Sequence, residues 1–332
     1  MPALTVRQFV SLPTTVGSSV ILTNMFNTCY SLESMTIPSG WTIGAMDSAF
    51  LNCYNIKTIV LPNNTQNSIT SMSSAFSACY KLENLTLPTS LTSCTAISFS
   101  SCYILKSITL PATMNSITSM FRAFISCYKL ESVTLPTSMT ACTTFSGIFQ
   151  SCYSLKSIVF PTTISASNTD YSNAFNTCTS LTSITFPTTQ NTSLTTLTSM
   201  FTNCASLKTL INTDKLGSLT TTPLVTASLG TNTTILTSLS FNCPFSLLNM
   251  VGTATSINKL NSVRLLNTST GQYTGTSPQI DFSYCSLGIT ALNQLFTDLP
   301  TVTGKTINIT GCTGAAGCTR SIATAKGWTV TG

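Results

Sequence analysis

The sequence predicts an α/β solenoid, with parallel strands on one side of each coil and short helices or turns on the other. Two observations lead to this prediction. A Phe-x-x-Cys motif recurs at a nearly constant interval, and a short apolar–polar alternation that ends in proline follows almost every copy. A fixed period of about 20–50 residues indicates a chain whose successive coils bury their apolar faces against each other.

Eight copies of the motif establish the repeat. Its spacing is nearly constant, and Leu or Ile stands three positions after each motif cysteine. Matched spacing over eight copies is not a chance pattern. The motifs end at Cys29, Cys53, Cys79, Cys102, Cys127, Cys152, Cys178 and Cys204, so the successive differences in sequence number are 24, 26, 23, 25, 25, 26 and 26.

Each coil contains two kinds of element. The segment 106–111 alternates apolar and polar residues, as a half-buried strand does, and Pro111 ends it because proline cannot donate to the strand ladder. The segment 117–124 has apolar residues at intervals that fit a short helix or turn with one buried face. Eight strands at about 4.8 Å would make a face about 38 Å long.

An aromatic residue, a cysteine, a leucine and then a strand that ends in proline resemble the unit of the BspA-like leucine-rich repeat family. The resemblance covers about residues 20–212. It implies a right-handed superhelix with the parallel sheet on its concave face. It also implies a surface-exposed protein that acts in adhesion or interaction.

The repeat predicts three regions. Residues 1–19 are an N-terminal cap, and residues 213–332 are longer, irregular coils with a C-terminal cap. Between them, positions 20–212 hold eight repeats of about 23–26 residues each. Within the last region the sequence predicts a helix over 289–299, a strand over 305–309, and then a short helix, a stop at Gly327 and a final strand. This ending is similar to the C-terminal units of repeat proteins in bacteriophage tails.

The composition excludes several function classes. The chain has 14 basic and 8 acidic residues and no histidine, so histidine triads and histidine–metal sites are absent. We predict no catalytic residue, no cofactor and no metal site. The scattered cations do not favour nucleic-acid binding. No apolar segment is long enough to span a membrane, and no signal peptide is readable.

The cysteine column is predicted to be a buried structural column, since cysteine packs as a small apolar residue. Cys94 and Cys142 occupy equivalent sites two coils apart, too far to form a disulfide. Only Cys312 and Cys318 are close enough in sequence to form a credible local disulfide.

Three exposed columns are candidate functional features. Charges of strictly alternating sign stand four residues after the motif cysteine, and such a ladder favours one strand register. They are Glu33, Lys57, Glu83, Lys106, Glu131 and Lys156. A column of tyrosines follows the cysteines and forms either an aromatic ridge or packing between elements. They are Tyr30, Tyr54, Tyr80, Tyr103, Tyr128 and Tyr153.

The third column comprises the outward strand positions, which carry hydroxyls and methyls with almost no charge. They are the candidate binding face: Ser34, Thr36, Thr58, Asn84, Thr86, Ser107, Thr109, Ser132, Thr134, Ser157, Ser183 and Thr185.

These features predict a non-catalytic structural or recognition protein at a virion or extracellular surface. The first hypothesis is a phage virion component, such as a tail fibre, decoration or host-recognition protein, that binds protein or glycan through the Ser/Thr face. The alternatives are a microbial adhesin or secreted interaction protein, and a subunit of an extracellular filament or shell. We also expect a homo-oligomer or a part of a larger assembly.

Overall fold

The structure is a stack of coils that are joined side by side through parallel strands. The computed structural model describes residues 12–14, 19–63, 69–89, 91, 93–189, 191, 193–212, 237–241, 259–265 and 279–332. Most of the predicted N-terminal cap and Cys243 lie outside these residues. In the repeat region the strands are β1 Val20–Ile21, β2 Ser34–Thr36, β3 Ile43–Ala45, β4 Thr58–Val60, β5 Asn84–Thr86, β6 Ser107–Thr109, β7 Ser132–Thr134, β8 Ser138–Met139, β9 Ser157–Val159, β10 Thr163–Ile164, β11 Ser183–Thr185 and β12 Thr209–Ile211.

The strands that precede each proline form the main ladder, as predicted. Equivalent residues pair without offset, for example Ile59 with Leu85 and Ile184 with Leu210. The central residue of each strand is buried and the two flanking residues are exposed or half-buried. The ladder is interrupted between β5 and β6 and again between β7 and β9.

The sequence predicts short helices or turns on the other side of each repeat coil, and the structure has tight turns there. Phe50 N donates to Ala75 O of the next coil at 2.9 Å, whereas Ala49 and Leu51 donate to carbonyls three residues earlier in their own coil, at 3.0 and 3.2 Å. Left-handed residues recur in these turns and exclude a helix. One stands just before each motif cysteine, with φ between 57° and 64°: Thr28, Asn52, Ala78, Ser101, Ser126, Ser151, Thr177 and Asn203.

A second ladder lies on the side where short helices or turns were predicted. Thr95 N donates to Thr70 O at 2.8 Å, and Thr118 N donates to Thr95 O at 3.0 Å. The Thr95 and Thr118 hydroxyls donate to the same two carbonyls. Backbone hydrogen bonds therefore join neighbouring coils on both sides of the solenoid.

The core consists of columns of identical residues. The motif phenylalanines stack from Phe26 to Phe201, with neighbouring ring centroids 5.1–6.1 Å apart. From the second coil on, each motif thiol donates to the motif phenylalanine carbonyl of the preceding coil. Cys53 Sγ lies 3.0 Å from Phe26 O, and Cys127 Sγ lies 3.1 Å from Phe99 O. The cysteine column is buried from Cys53 on, as predicted.

The C-terminal coils use the same contact. Cys312 Sγ donates to Phe282 O at 3.1 Å, so Phe282-Ser-Tyr-Cys285, which also matches the general leucine-rich repeat pattern, is a further Phe-x-x-Cys unit. The predicted helices and strands of this region are present, and Gly327 stands before the last strand with φ +83°. The elements are β13 Ser238–Phe241, β14 Ser262–Leu265, β15 Gln279–Asp281, α1 Ile289–Asp298, β16 Lys305–Asn308, α2 Ser321–Thr324 and β17 Trp328–Thr331.

The thiol column predicts a loss of stability at alkaline pH. Burial raises the pKa of the Cys127 thiol to about 12 from 9.0. The folded state therefore favours the neutral thiol, and this stability is full below about pH 9 and is lost as pH rises toward 12. Above pH 9 we expect the unfolding free energy of Cys127→Ala to fall less steeply with pH than that of the wild type. The two slopes should differ by up to ~1.4 kcal/mol per pH unit. Urea unfolding at several pH values measures both slopes.

The control is Cys29→Ala, because Cys29 is the exposed first member of the column. This substitution should change the slope less than Cys127→Ala does. Equal slopes for the Cys127→Ala variant and the wild type would contradict the prediction.

Candidate functional site

The strand face is the surface formed by the outward residues of the main ladder. It contains all twelve predicted binding-face residues, of which ten are exposed and Ser183 and Thr185 are half-buried. The first outward position of each strand forms the hydroxyl row, whose members carry hydroxyl or amide groups: Ser34, Thr58, Asn84, Ser107, Ser132, Ser157, Ser183 and Thr209.

The second outward position forms the β-branched row, in which every member is Thr, Val or Ile. Val60 and Val159 are 47% and 63% exposed, so methyl groups face solvent along the row. The twelve candidate residues predicted from the sequence do not include these valines, although valine has the shape of threonine. The members are Thr36, Val60, Thr86, Thr109, Thr134, Val159, Thr185 and Ile211.

A groove opens in the strand face where the ladder is interrupted between β5 and β6. Its volume is about 610 Å³, and its lining includes Asn84, Thr86, Ser107, Thr109 and Thr134. The strands β5 and β6 belong to the coils of Cys79 and Cys102, and the interval between these two cysteines is the shortest between successive motif cysteines. The lining combines hydroxyls with aliphatic groups, which suits a neutral, partly polar ligand surface.

The six alternating charges form the charge row beside the hydroxyl row. Lys57 forms an ion pair with Glu33 at 3.5 Å, and Lys156 forms one with Glu131. The Lys156 contact lowers the pKa of Glu131. Neither Glu83 nor Lys106 has an ion-pair partner within 4.0 Å among the described residues.

The six tyrosines form one continuous stack, called here the tyrosine row. Neighbouring ring centroids lie 4.6–5.0 Å apart and interplanar angles are at most 24°. Tyr30 and Tyr153 at the two ends are 44% and 41% exposed. The faces of the inner rings are occupied by neighbouring tyrosines, so a sugar cannot stack on them. The ring edges and hydroxyls remain for contact with a partner.

The buried thiols are poor nucleophiles and poor metal ligands. Burial raises the pKa of Cys53 and Cys204 to about 12 and that of Cys102 and Cys152 well above the usual value. Thiolate is the reactive and metal-binding form of cysteine, and the buried column disfavours it. Within the described residues, no group of three or more acidic, Cys or His side chains is placed to hold a metal ion.

Cys312 and Cys318, the predicted disulfide pair, are both thiols in the structure. Cys312 Sγ donates to Phe282 O at 3.1 Å, and Cys318 Sγ donates to Ala315 O at 3.3 Å. The pairing stays a prediction. No helix among the described residues has the length and apolar character that crossing a membrane requires.

The second ladder is an exposed surface that sequence reasoning missed. Its threonines stand nine residues before the motif cysteine in most coils, as Thr118 does before Cys127, and this spacing was a readable signal. Their hydroxyls donate to backbone carbonyls of the preceding coil, so they are less available to a ligand than those of the strand face.

A family model described as BspA type leucine-rich repeat region matches residues 8–122 and 120–224, with six copies. The chain therefore belongs to the BspA-type leucine-rich repeat proteins. Leucine-rich repeat domains of this surface type generally mediate protein interaction or adhesion. A comparison with curated proteins finds no match.

Two solved structures of bacterial proteins are among those to which the chain is similar. A leucine-rich repeat protein from Bacteroides ovatus ATCC 8483 is 24% identical over 90% of this chain and 76% of its own, with a TM-score of 0.49. A leucine rich cell surface protein from Faecalibacterium prausnitzii A2-165 is 23% identical, covering 57% of this chain and 62% of its own, with a TM-score of 0.32.

The tyrosine row predicts a position-dependent loss of stability. Tyr103 stacks on two neighbours in the row, at 4.6 and 4.7 Å, whereas Tyr153 stacks on one, at 5.0 Å. Each stacked pair contributes about 0.5–1.5 kcal/mol. We therefore expect Tyr103→Thr to lower the unfolding free energy by about 1–3 kcal/mol and Tyr153→Thr by about half as much. Urea unfolding measures both.

Threonine is the matched replacement because Thr179 occupies the equivalent position in the coil that follows the coil of Tyr153. Equal losses for the two variants would show that ring stacking does not contribute measurably to stability.

Proposed function

We propose that this chain is a non-catalytic interaction protein at an external surface and that the strand face is its binding surface. The observation that carries the proposal is the register of the exposed rows, which sets hydroxyl and methyl groups at one strand spacing within three groups of paired strands: β2, β4 and β5; β6 and β7; and β9, β11 and β12. A rigid, repetitive and neutral surface suits a protein or glycan partner. The groove between β5 and β6 offers a concave part of this face.

The proposed location is a virion, where the chain serves as a tail fibre, decoration or host-recognition protein. Two features support it: the C-terminal unit of α1, β16, α2 and β17, which is similar to units in phage tail proteins, and the neutral hydroxyl surface. Family membership favours the alternative, a microbial surface adhesin. A filament or shell subunit would use the same rows for lateral contacts.

Electron microscopy of the native source with gold-labelled antibody separates these locations. Label on virus particles supports the virion component, label on cell envelopes supports the adhesin, and label along fibres supports the filament subunit. Label confined to the cytoplasm would contradict the proposal of an external surface protein.

Substitution on the strand face tests the binding surface. We expect Thr109→Arg with Thr134→Arg to reduce attachment of the fluorescently labelled full chain to glycan arrays and intact bacterial cells by at least tenfold. The two arginines add bulk and charge at the groove. Circular dichroism spectra should be unchanged, because both side chains are exposed.

The matched control is Thr95→Arg with Thr118→Arg, which places the same charges on the exposed second ladder. This variant should attach like the wild type. If the Thr109→Arg, Thr134→Arg variant is folded and still attaches normally, the strand face is not the binding surface.

A further inference from the structure

We propose that the strand face binds a second copy of the chain in an antiparallel, two-fold symmetric dimer. The proposal rests on the proposed function in one respect: both assign binding to the strand face. The charge row carries the argument, because its sign pattern is complementary to itself when one copy is turned end for end.

The complementarity follows from the order of the charges. A two-fold axis between the third and fourth coils pairs the first coil with the sixth, the second with the fifth and the third with the fourth. Every pair then joins opposite charges, and each occurs twice in a symmetric dimer. The pairs are Glu33 with Lys156, Lys57 with Glu131, and Glu83 with Lys106.

Parallel docking in register fails the same test. It places each glutamate opposite a glutamate and each lysine opposite a lysine, which is repulsive at all six positions. A parallel arrangement shifted by one coil restores attraction at five positions but does not close, so it would build a fibre rather than a dimer. The antiparallel arrangement uses all six charges and closes.

The two central charges are the ones available to a partner. Lys57 and Lys156 already contact Glu33 and Glu131 within their own chain. Glu83 and Lys106 have no ion-pair partner among the described residues, and they flank the axis. The interruption of the strand ladder between β5 and β6 lies at the same boundary.

The tyrosine row has the same extent as the charge row. Both run from the first coil to the sixth, and the next coil has Thr179 and Thr182 at the two positions. The tyrosine row precedes the charge row by three residues, and the β-branched row follows it by three. A two-fold axis that reverses the order of the coils while the two faces meet runs along the strands, so each row meets the equivalent row of the other copy. Tyrosine edges then meet tyrosine edges, and methyl groups of the β-branched row meet methyl groups; aromatic residues are enriched at interface cores.

The area of this patch indicates a weak dimer. Six coils at about 4.8 Å and six residues at about 3.3 Å give roughly 600 Å² for each copy. Stable specific interfaces bury about 800 Å² for each partner. The charges select the orientation more than they add affinity, because they are exposed. We expect dissociation constants in the micromolar range and weaker association at high salt.

Charge exchange at the centre of the row tests the proposal. In the dimer, Glu83→Lys leaves two lysines opposed at each central pair, and Lys106→Glu leaves two glutamates opposed. Each variant alone should dimerise at least tenfold more weakly than the wild type, by sedimentation equilibrium of the full chain over a concentration series. An equimolar mixture of the two variants restores opposite charges at both central pairs, so the mixture should dimerise like the wild type.

The matched control is Lys208→Glu, which reverses an exposed charge in the same row but two coils beyond the patch. Its dimerisation should equal that of the wild type. Recovery in the mixture also shows that both variants are folded. A wild type that remains monomeric, variants that dimerise as well as the wild type, or a mixture that does not recover would each overturn the proposal.

The two proposals fail separately. A monomeric wild type whose attachment to glycans or cells is lost in the Thr109→Arg, Thr134→Arg variant overturns the dimer and supports the binding surface. A charge-dependent dimer whose attachment is unaffected by those two substitutions supports the dimer and overturns the binding surface for external ligands.

Discussion

Hydrogen bonding between successive coils is the constraint on which the whole structure depends. A single coil of about 25 residues is too small to satisfy its backbone or to bury its apolar face alone. The motif turn shows the solution, since alternate N–H groups stay within the coil and the others donate to the next coil. The motif phenylalanine carbonyl accepts both its own cysteine N–H and the thiol of the following coil. Each coil therefore needs a neighbour in fixed register.

Fixed register explains why identical residues recur at equivalent positions. Side chains one coil apart lie about one strand spacing from each other. Phenylalanine, tyrosine and cysteine are favourable neighbours of themselves at this distance, because rings stack and thiols bond to carbonyls. Lysine and glutamate are not. Exposed rows must then be neutral or alternate in sign, and the coils carry rows of both kinds.

The limits of sequence reasoning follow from the same geometry. The strands could be predicted because alternation and proline report directly on a half-buried ladder. The choice between short helices and turns stayed open in the repeats, because apolar spacing does not distinguish a helix from tight turns with left-handed residues. Positions such as Asn52 and Ser126 hint at such turns, but Ala78 and Arg122 carry no such signal. The residues of the strand face could be predicted from alternation, whereas the groove depends on how the short coil before Cys102 packs.

The scarcity of charge is therefore a property of the fold before it is evidence about a partner. Stacking places the equivalent residues of successive coils beside each other. If every coil carried the same charged outward residue, like charges would repel each other at every boundary between coils. Serine and threonine avoid this repulsion because they are neutral, and their hydroxyl groups keep the surface hydrated. The informative positions are those that depart from neutrality. The charge row alternates over six coils and then gives way to Thr182 and a single Lys208. Register permits either alternation or neutrality beyond the sixth coil, and in the proposed dimer the end that the charge row shares with the tyrosine row is the edge of the contact surface.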